Sequence, residues 1–463
     1  MRERDDCDLV VVGHGAAGLA AALSAAEAKP GARIALIERT DETQAGGGTR
    51  WSPSNMRLRS VDETAPDFVA DMLACGEQTD REYYERLAEE APAAAAWAQG
   101  HGVAFHAPGY YLSSGPPRIQ PVGGGAAIVA ALARAAREAG VEFHYGLRAE
   151  SLLRGPGGSA GGVRVERGDG NALALRARAV VLASGGFQGN PQMLREHLGP
   201  SAERLRPISP GSAWNTGEGI RMALEFGALR AGDWSGMHSE PVDARTRASA
   251  PVVLVYPYGI VVDRAGRRLF DEGAGLMHET WEHYSRQIHF AAAGRKAWVV
   301  LDARLQSIEG WQRAVRSELP PIVADTPQAL AAITGIDPDG LAATLAAYNA
   351  ACTGDPAGFD PSCADGLATA PELAPRKSNW ACALATPPYY AWPIEGAIAY
   401  TFGGLATDTE ARVLGREGPI PGLYAAGEIT GHFHRSAPNA VAVLRALVYG
   451  RIAGRAAIAR AAH

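Results

Sequence analysis

The sequence predicts a doubly wound α/β fold interrupted by an inserted α+β capping domain. Three observations carry that reading. A β run, Cys7-Asp8-Leu9-Val10-Val11-Val12, leads straight into Gly13-His14-Gly15-Ala16-Ala17-Gly18. A second apolar run, Gly422-Leu423-Tyr424-Ala425-Ala426-Gly427-Glu428, returns near the far end of the chain as if to finish the same site. Between them, from about residue 230, the character changes and tryptophan and histidine become frequent.

Residues 8–12 read as a strand, Ala16 to Ala28 as an alanine-rich helix and Arg33 to Ile37 as the next strand. Together they make a βαβ unit of about 30 residues. A helical region is expected over roughly 61–100 and a second helix over 125–139, before the strand Val141-Glu142-Phe143. Residues 155–170, rich in glycine and charge, read as a hairpin turn. Ala179-Val180-Val181-Leu182-Ala183 is a continuous apolar run, as expected of a strand covered on both faces. A strand pair is expected around Gly259–Asp263, turning at Arg264-Ala265-Gly266. Asp325-Thr326-Pro327 and Asp337-Pro338-Asp339 carry helix-capping signals. Residues 353–375 read as irregular. The expected organisation is 1–229 with 376–463 as one domain and 230–375 as the insert. Ala440 to Ala462 is apolar, but Arg445, Arg451, Arg455 and Arg460 interrupt it, so it reads as a buried helix and not a membrane span.

A chain of 463 residues suits two domains. Its 47% hydrophobic and 20% charged residues are ordinary for a soluble enzyme. The net charge is -6 with no long basic run, so no nucleic-acid partner is expected. The five cysteines contain no C-x-x-C pair, so neither a zinc nor an iron–sulfur site is expected. Few, scattered thiols suit a reducing cytoplasm. The first strand begins behind Arg2-Glu3-Arg4-Asp5-Asp6, which leaves no room for a signal peptide and also points to the cytoplasm.

The glycine motif has a mechanism. Gly13 permits a tight turn, Gly15 lets the backbone approach a pyrophosphate, and Gly18 allows close helix–strand packing. The helix starting near Ala16 aims its free N–H groups and positive dipole end at the phosphate. Glu38, at the end of the second strand, accepts hydrogen bonds from a ribose and repels a 2′-phosphate. Gly46-Gly47-Gly48-Thr49 lets backbone amides reach a ring system. Leu182-Ala183-Ser184-Gly185-Gly186-Phe187 again permits a close backbone approach, and Glu428 is placed for the cofactor's sugar chain.

In this order, these residues resemble the fumarate reductase/succinate dehydrogenase flavoprotein superfamily. The resemblance extends through Asn215-Thr216-Gly217-Glu218-Gly219-Ile220, Gly259 to Glu272, Phe402-Gly403-Gly404 and Gly450-Arg451-Ile452-Ala453-Gly454, essentially the whole chain. Within it the sequence looks most like FAD-dependent tricarballylate dehydrogenases, through Asn55-Met56-Arg57, Gly123-Gly124-Gly125, Lys377-Ser378-Asn379-Trp380-Ala381 and Ala399-Tyr400-Thr401-Phe402-Gly403-Gly404. The resemblance implies FAD, with Arg39, Ala149, Asn439, Ala440 and Val443 joining the residues above as cofactor contacts. Gly48 stands where succinate dehydrogenases carry the histidine that holds FAD covalently, so FAD is expected to be non-covalent. The chain also lacks the proton-donating arginine of fumarate reductases after Glu272, and has Ala399-Tyr400-Thr401 where they have His-His-Thr.

The implied chemistry is oxidation of a CH–CH bond, hydride leaving to flavin N5 and a proton to a base. The expected substrate is a small polycarboxylate of the tricarballylate type, with a separate electron-transfer partner. His238 is the first candidate for a substrate contact, in the position where related flavoproteins place a substrate-binding histidine. Arg57 is a candidate to pair with a carboxylate, and Tyr400 to donate a hydrogen bond or transfer a proton. His432, His434 and Arg435 follow the Gly427-Glu428 turn, and one of the two histidines is a candidate base. His278 is a further base candidate, and Arg118 a candidate gate. Alternative readings are a 3-ketosteroid Δ1-dehydrogenase-like enzyme, a fumarate-reductase-like ene-reductase, a flavin monooxygenase of a tetrapyrrole precursor, and an electron-transfer subunit without a substrate of its own.

Overall fold

The computed structural model describes residues 7–109, 111–112 and 115–461. β1 (Cys7–Val12), α1 (Ala16–Ala28) and β2 (Ile34–Glu38) form the opening βαβ unit. A short helix, α2 (Gly47–Trp51), follows. The helical region expected over 61–100 is two helices, α3 (Phe68–Ala74) and α4 (Arg81–Gly100). Its first residues instead pair as a small hairpin, Leu58–Ser60 with Glu63–Thr64. The break between the helices has a local cause: the Asp80 side chain accepts the Tyr83 N–H and starts α4 afresh. Next come α5 (Gly124–Glu138) and β3 (Glu142–Tyr145).

The segment expected to be a hairpin turn contains a whole strand. β4 (Leu147–Arg154), β5 (Ala160–Arg167) and β6 (Ala172–Leu182) form an antiparallel meander. Gly162, read as part of a loop, lies inside β5 with φ +128, where a Cβ would come within 2.1 Å of the Leu175 carbonyl oxygen. β6 then leaves the meander, and Ala177 to Leu182 pair in parallel with β1.

The chain continues through α6 (Pro191–Leu198), β7 (Arg206–Pro207), α7 (Glu218–Phe226), β8 (Met237–Asp243), β9 (Ile260–Val262) and α8 (Met277–Ala291). β10 (Ala297–Leu301), β11 (Ile322–Ala324), α9 (Pro327–Thr334) and α10 (Pro338–Ala351) follow. Thr326 and Asp337 cap α9 and α10 through the N–H groups of Ala329 and Gly340. The last elements are β12 (Tyr389–Thr401), β13 (Arg412–Gly415), β14 (Gly418–Ala425) and α11 (Ala442–Arg460).

The first sheet has the order β13-β14-β6-β1-β2-β3, parallel except at β13. Register aligns Val12, Leu182 and Ala425, so the turns at Gly13, Ala183 and Ala426 leave the same edge. The two distant glycine signals therefore meet at the carboxyl ends of neighbouring strands, where open α/β sheets hold their ligands. Helices α1, α4, α5 and α11 cover one face; the meander, α6 and α7 cover the other. At Gly454 the contact between α11 and α1 is backbone on backbone: a Cβ would stand 2.0 Å from the Ala21 carbonyl oxygen.

The second sheet is built around β12. Along it pair β8, β10 and β11 in antiparallel fashion and β7 in parallel. β7 precedes residue 230 and β12 follows residue 376, so this sheet draws strands from both flanks of the 230–375 segment. The first sheet regains the chain at β13.

Behind the second sheet lies a buried charge cluster. Arg268 pairs with Glu272, both nearly inaccessible, and Glu272 also accepts the Val261 N–H at 2.8 Å. Lys377, wholly buried, donates to the Gly259 carbonyl at 2.6 Å. Glu272→Ala strands two buried cations at once. It is expected to cost about 3–5 kcal/mol of stability, read as a lowered midpoint in denaturant unfolding; an unchanged midpoint contradicts this. Among the described residues, no helix is long and apolar enough to cross a membrane.

Candidate active site

A cavity of about 1620 Å³ opens at the shared strand edge and extends to β8, β12 and α8. Gly13, Gly15, Ala16 and Ala17 line it, with Glu38 and Arg39 beside them and Gly47, Gly48 and Thr49 from α2. Ala183, Ser184, Gly185, Asn215, Gly427 and Glu428 line it from the β6 and β14 turns, and Asn439, Ala440 and Val443 from the approach to α11.

Three expected cofactor contacts do not line it. Gly18 packs inward, its would-be Cβ 1.9 Å from the Gly13 carbonyl oxygen, which makes it a helix–strand spacer. Gly46, at φ +126, turns toward the Arg50 side chain. Ala149 is buried in β4 opposite Val165, and Leu147 lines the cavity in its place.

The cradle fits a bound dinucleotide. Around Gly15, Gly47 and Gly48 there is room: a Cβ on Gly47 would find only Gly15 Cα, at 3.9 Å, and the nearest atoms to one on Gly15 or Gly48 are the hydroxyls of Thr49 and Ser212, at 3.8 and 3.7 Å. The first turn of α1 carries no acidic residue and its N-cap no side-chain bond, so the positive helix end is left for an anion. Glu38 accepts the His14 N–H at 3.0 Å and borders the cavity. Arg39 reaches across to the Trp214 carbonyl at 3.0 Å and to Glu218 at 3.0 Å, tying β2 to the 214–218 segment.

The FAD binding domain family profile matches residues 8–441. The chain belongs to this family. The cofactor of this flavoprotein is therefore FAD, and it is an FAD-dependent oxidoreductase of the fumarate reductase/succinate dehydrogenase flavoprotein superfamily. It is 28% identical over 466 residues to a protein named probable fumarate reductase Ifc3 of Shewanella frigidimarina, covering 96% of this chain and 74% of that one. The open conformation of a flavocytochrome c3 fumarate reductase superposes with a TM-score of 0.80 at 26% identity, covering 99% of this chain and 79% of that chain. A 3-ketosteroid-Δ4-(5α)-dehydrogenase from Rhodococcus jostii RHA1 shares the fold, with a TM-score of 0.73 at 24% identity over 99% of this chain and 98% of that one.

Of the expected chemical residues, the flavoprotein brings His238, Tyr400, Arg57, His278 and Arg435 to the cavity, and Arg118 with them. A bulge places the first two. In the β8–β12 pairing His238 lies opposite Tyr400 and Ser239 opposite Ile398, leaving Ala399 as the extra residue. Gln188 takes up the Ala399 carbonyl at 3.1 Å, and the His238 and Tyr400 rings stack at 4.8 Å and 22°. Burial opposes a charge on His238, but hydrogen bonds and attraction from Glu240 and Glu282 prevail and raise its pKa to about 9. As an imidazolium it donates from Nδ1 to Glu282 at 2.6 Å and from Nε2 to Glu240 at 3.4 Å. Burial holds the Tyr400 phenol well above its ordinary value, so it keeps its proton. Burial lowers His278, leaving it neutral at pH 7.

Arg57 is almost wholly buried, and its Nη2 is already paired within the chain, with Asp71 and, at 3.3 Å, Asp67. Glu428 is held by Asn215 at 3.0 Å, Gln188 at 3.2 Å and the Thr401 N–H at 3.2 Å, and burial pushes its carboxyl up to about 7. It joins the two sheets as well as lining the cavity.

His432 and His434 do not line the cavity. His432 is a core residue: it stacks on Tyr83 at 3.6 Å, hydrogen-bonds Thr407 at 2.8 Å, and burial keeps it neutral. His434 packs at the end of α3, beside Gly76. The two rings have different surroundings, His432 against Tyr83 and Thr407 and His434 against Gly76, so they do not meet as a pair.

Sequence reasoning passed over Glu240, Glu282, Arg286 and Gln188. Glu240 shares a strand face with His238, two residues on. Glu282 and Arg286 are four apart and line the cavity from one face of α8.

Proposed function

We propose that this flavoprotein interconverts CH–CH and C=C in a small carboxylate, with a polycarboxylate of the tricarballylate type as the substrate to test first. The observation that carries the reading is the charge along the cavity. Arg286, Arg316 and Arg435 line it with no carboxylate at ion-pair distance among the described residues. A substrate with several carboxylates supplies those partners.

FAD, when bound, supplies hydride transfer to or from carbon. The chain's own groups hold the charge and the proton. His238 carries a fixed positive charge, which stabilises negative charge developing on a neighbouring carboxylate-activated carbon. Tyr400 adds an O–H donor. Neutral His278, one of the histidines lining the cavity, is the candidate to take up a proton. The second sheet and α8 cap the first domain and exclude water. We propose an insert centred on 230–375, with β7 and β12 supplied to its sheet from the flanking 1–229 and 376–463 segments, and expect a separate electron-transfer partner. The free thiols at all five cysteines support a reducing, cytoplasmic setting.

The same bond change run backwards, as an ene-reductase, is favoured by one observation: Tyr400 lines the cavity and keeps its O–H proton, which reduction of C=C would draw on. Dye-linked turnover with product NMR tests both directions. Tricarballylate yielding a vinylic product supports oxidation; an unsaturated acid consumed by the reduced enzyme supports reduction. Turnover of a 3-ketosteroid alone, with no acid reacting, overturns both. Acid precipitation is expected to release all the FAD, because Gly48 presents no side chain to bond it; yellow colour left in the pellet contradicts this.

A further inference from the structure

The residue that gives His238 its character lies on another element. We propose that Glu282 is a positioning residue, holding the His238 ring against Tyr400 as the fixed cation of the site and so preventing it from acting as the base. The inference rests on the oxidoreductase reading above, and deepens it by assigning the charge.

The contacts define the arrangement. Glu282 meets Nδ1 at 2.6 Å, while Glu240 stands off at 3.4 Å from Nε2. Glu282 therefore makes the closer contact and Glu240 the longer one. With both nitrogens bonded to carboxylates, the ring has only donor roles and presents no lone pair to a substrate. Trp281 meets the ring edge-on at 6.4 Å and Tyr400 covers a face, which restricts its rotation.

α8 is fixed relative to the bulge, so the distance is built into the fold. Ser239 Oγ donates to the Glu282 carbonyl at 3.4 Å. Gly396 of β12 faces the helix directly; a Cβ there would lie 2.5 Å from the Ser285 carbonyl oxygen. The Glu279 side chain caps the start of α8 by accepting the Leu276 N–H at 2.8 Å.

The charged and titratable groups facing His238 are Glu240 on its own strand, Glu282 on α8 and Tyr400 on β12. Glu428 and Arg445 act on Tyr400 from the far side, and Cys75, at the end of α3, senses Glu282. The two carboxylates nearest the ring outnumber it in charge, so removing Glu282 alone leaves it one partner at long range.

The test uses the FAD-loaded enzyme with 15N-labelled histidine, the His238 resonance being assigned by its absence in His238→Gln. Wild-type His238 is expected to stay protonated to about pH 9. In Glu282→Gln it is expected to titrate close to the ordinary histidine value near 6.5, and in Glu240→Gln to move less. Turnover of Glu282→Gln at pH 8 is expected to fall roughly 10–100-fold, with KM changing less than kcat. Glu282→Asp is expected to recover part of both. A wild-type His238 that is neutral at pH 7.5 overturns the proposal, as does a titration unmoved in Glu282→Gln. If Glu282→Gln fails to retain FAD, the wild-type titration still decides. The resonance needs no substrate, so failure of the substrate reading leaves this result standing.

Discussion

Gly18→Val is expected to yield protein without FAD. A Cβ on Gly18 would stand 1.9 Å from the Gly13 carbonyl oxygen and 2.9 Å from its carbon. Both are backbone atoms of the turn that approaches the cofactor, so no side chain can give way. α1 would have to lift from β1. That movement carries off the helix end that receives the phosphate, and it opens the core that α1 shares with α5 and α11. Overpacking of this kind costs about 3 kcal/mol or more where only backbone can yield. The measurements are the flavin-to-protein absorbance ratio and the thermal midpoint. Gly168→Ala is the control, since a Cβ there meets nothing within 4 Å. Normal FAD content in Gly18→Val contradicts the assignment of this turn.

His238→Gln is expected to lower turnover by roughly 10²–10⁴-fold while FAD is retained. Glutamine keeps a polar group of similar reach and removes the charge. The pH dependence has a definite sign. The folded pKa, about 9, lies above the ordinary 6.5, so the cation is present below about 9 and lost above it. Activity that depends on the cation falls as pH rises through about 9, and His238→Gln lacks that alkaline limb. Stability follows the same linkage: the contribution of His238 is complete below pH 6.5 and disappears as pH rises through about 9. A wild-type alkaline limb that persists unchanged in His238→Gln assigns it to another group.

The sequence made the middle of the first sheet legible because β1, β6 and β14 end as apolar runs that lead into glycine-containing turns. α1 falls at Ala16–Ala28, as the alanine run indicated. The meander was hidden because β5 carries glycine and charge on a strand with one solvated face, which composition alone does not separate from a loop. The cofactor side of the cavity was readable, since local turn chemistry dictates it: Gly13, Gly15 and Glu38 line the cavity where they stand in the chain. The chemical side was not. His238 owes its charge to Glu282, 44 residues away, and its aim to a bulge in β12. Arg57 was expected to await a substrate and is engaged by Asp71 on α3 and by Asp67 just before it. His432 and His434 stood close in sequence to the cofactor turn, but one is held by Tyr83 and Thr407 and the other packs on Gly76. Such pairings depend on tertiary packing, which one sequence does not state.

Anaerobic stopped-flow absorbance of the FAD-loaded enzyme mixed with tricarballylate, other small carboxylates and a 3-ketosteroid decides whether a carboxylate exchanges hydride with this flavin. Bleaching of the flavin band by a polycarboxylate is expected, or reoxidation of the pre-reduced flavin by an unsaturated acid, both slowed in His238→Gln. A flavin that responds to the steroid and to no carboxylate in either direction contradicts it.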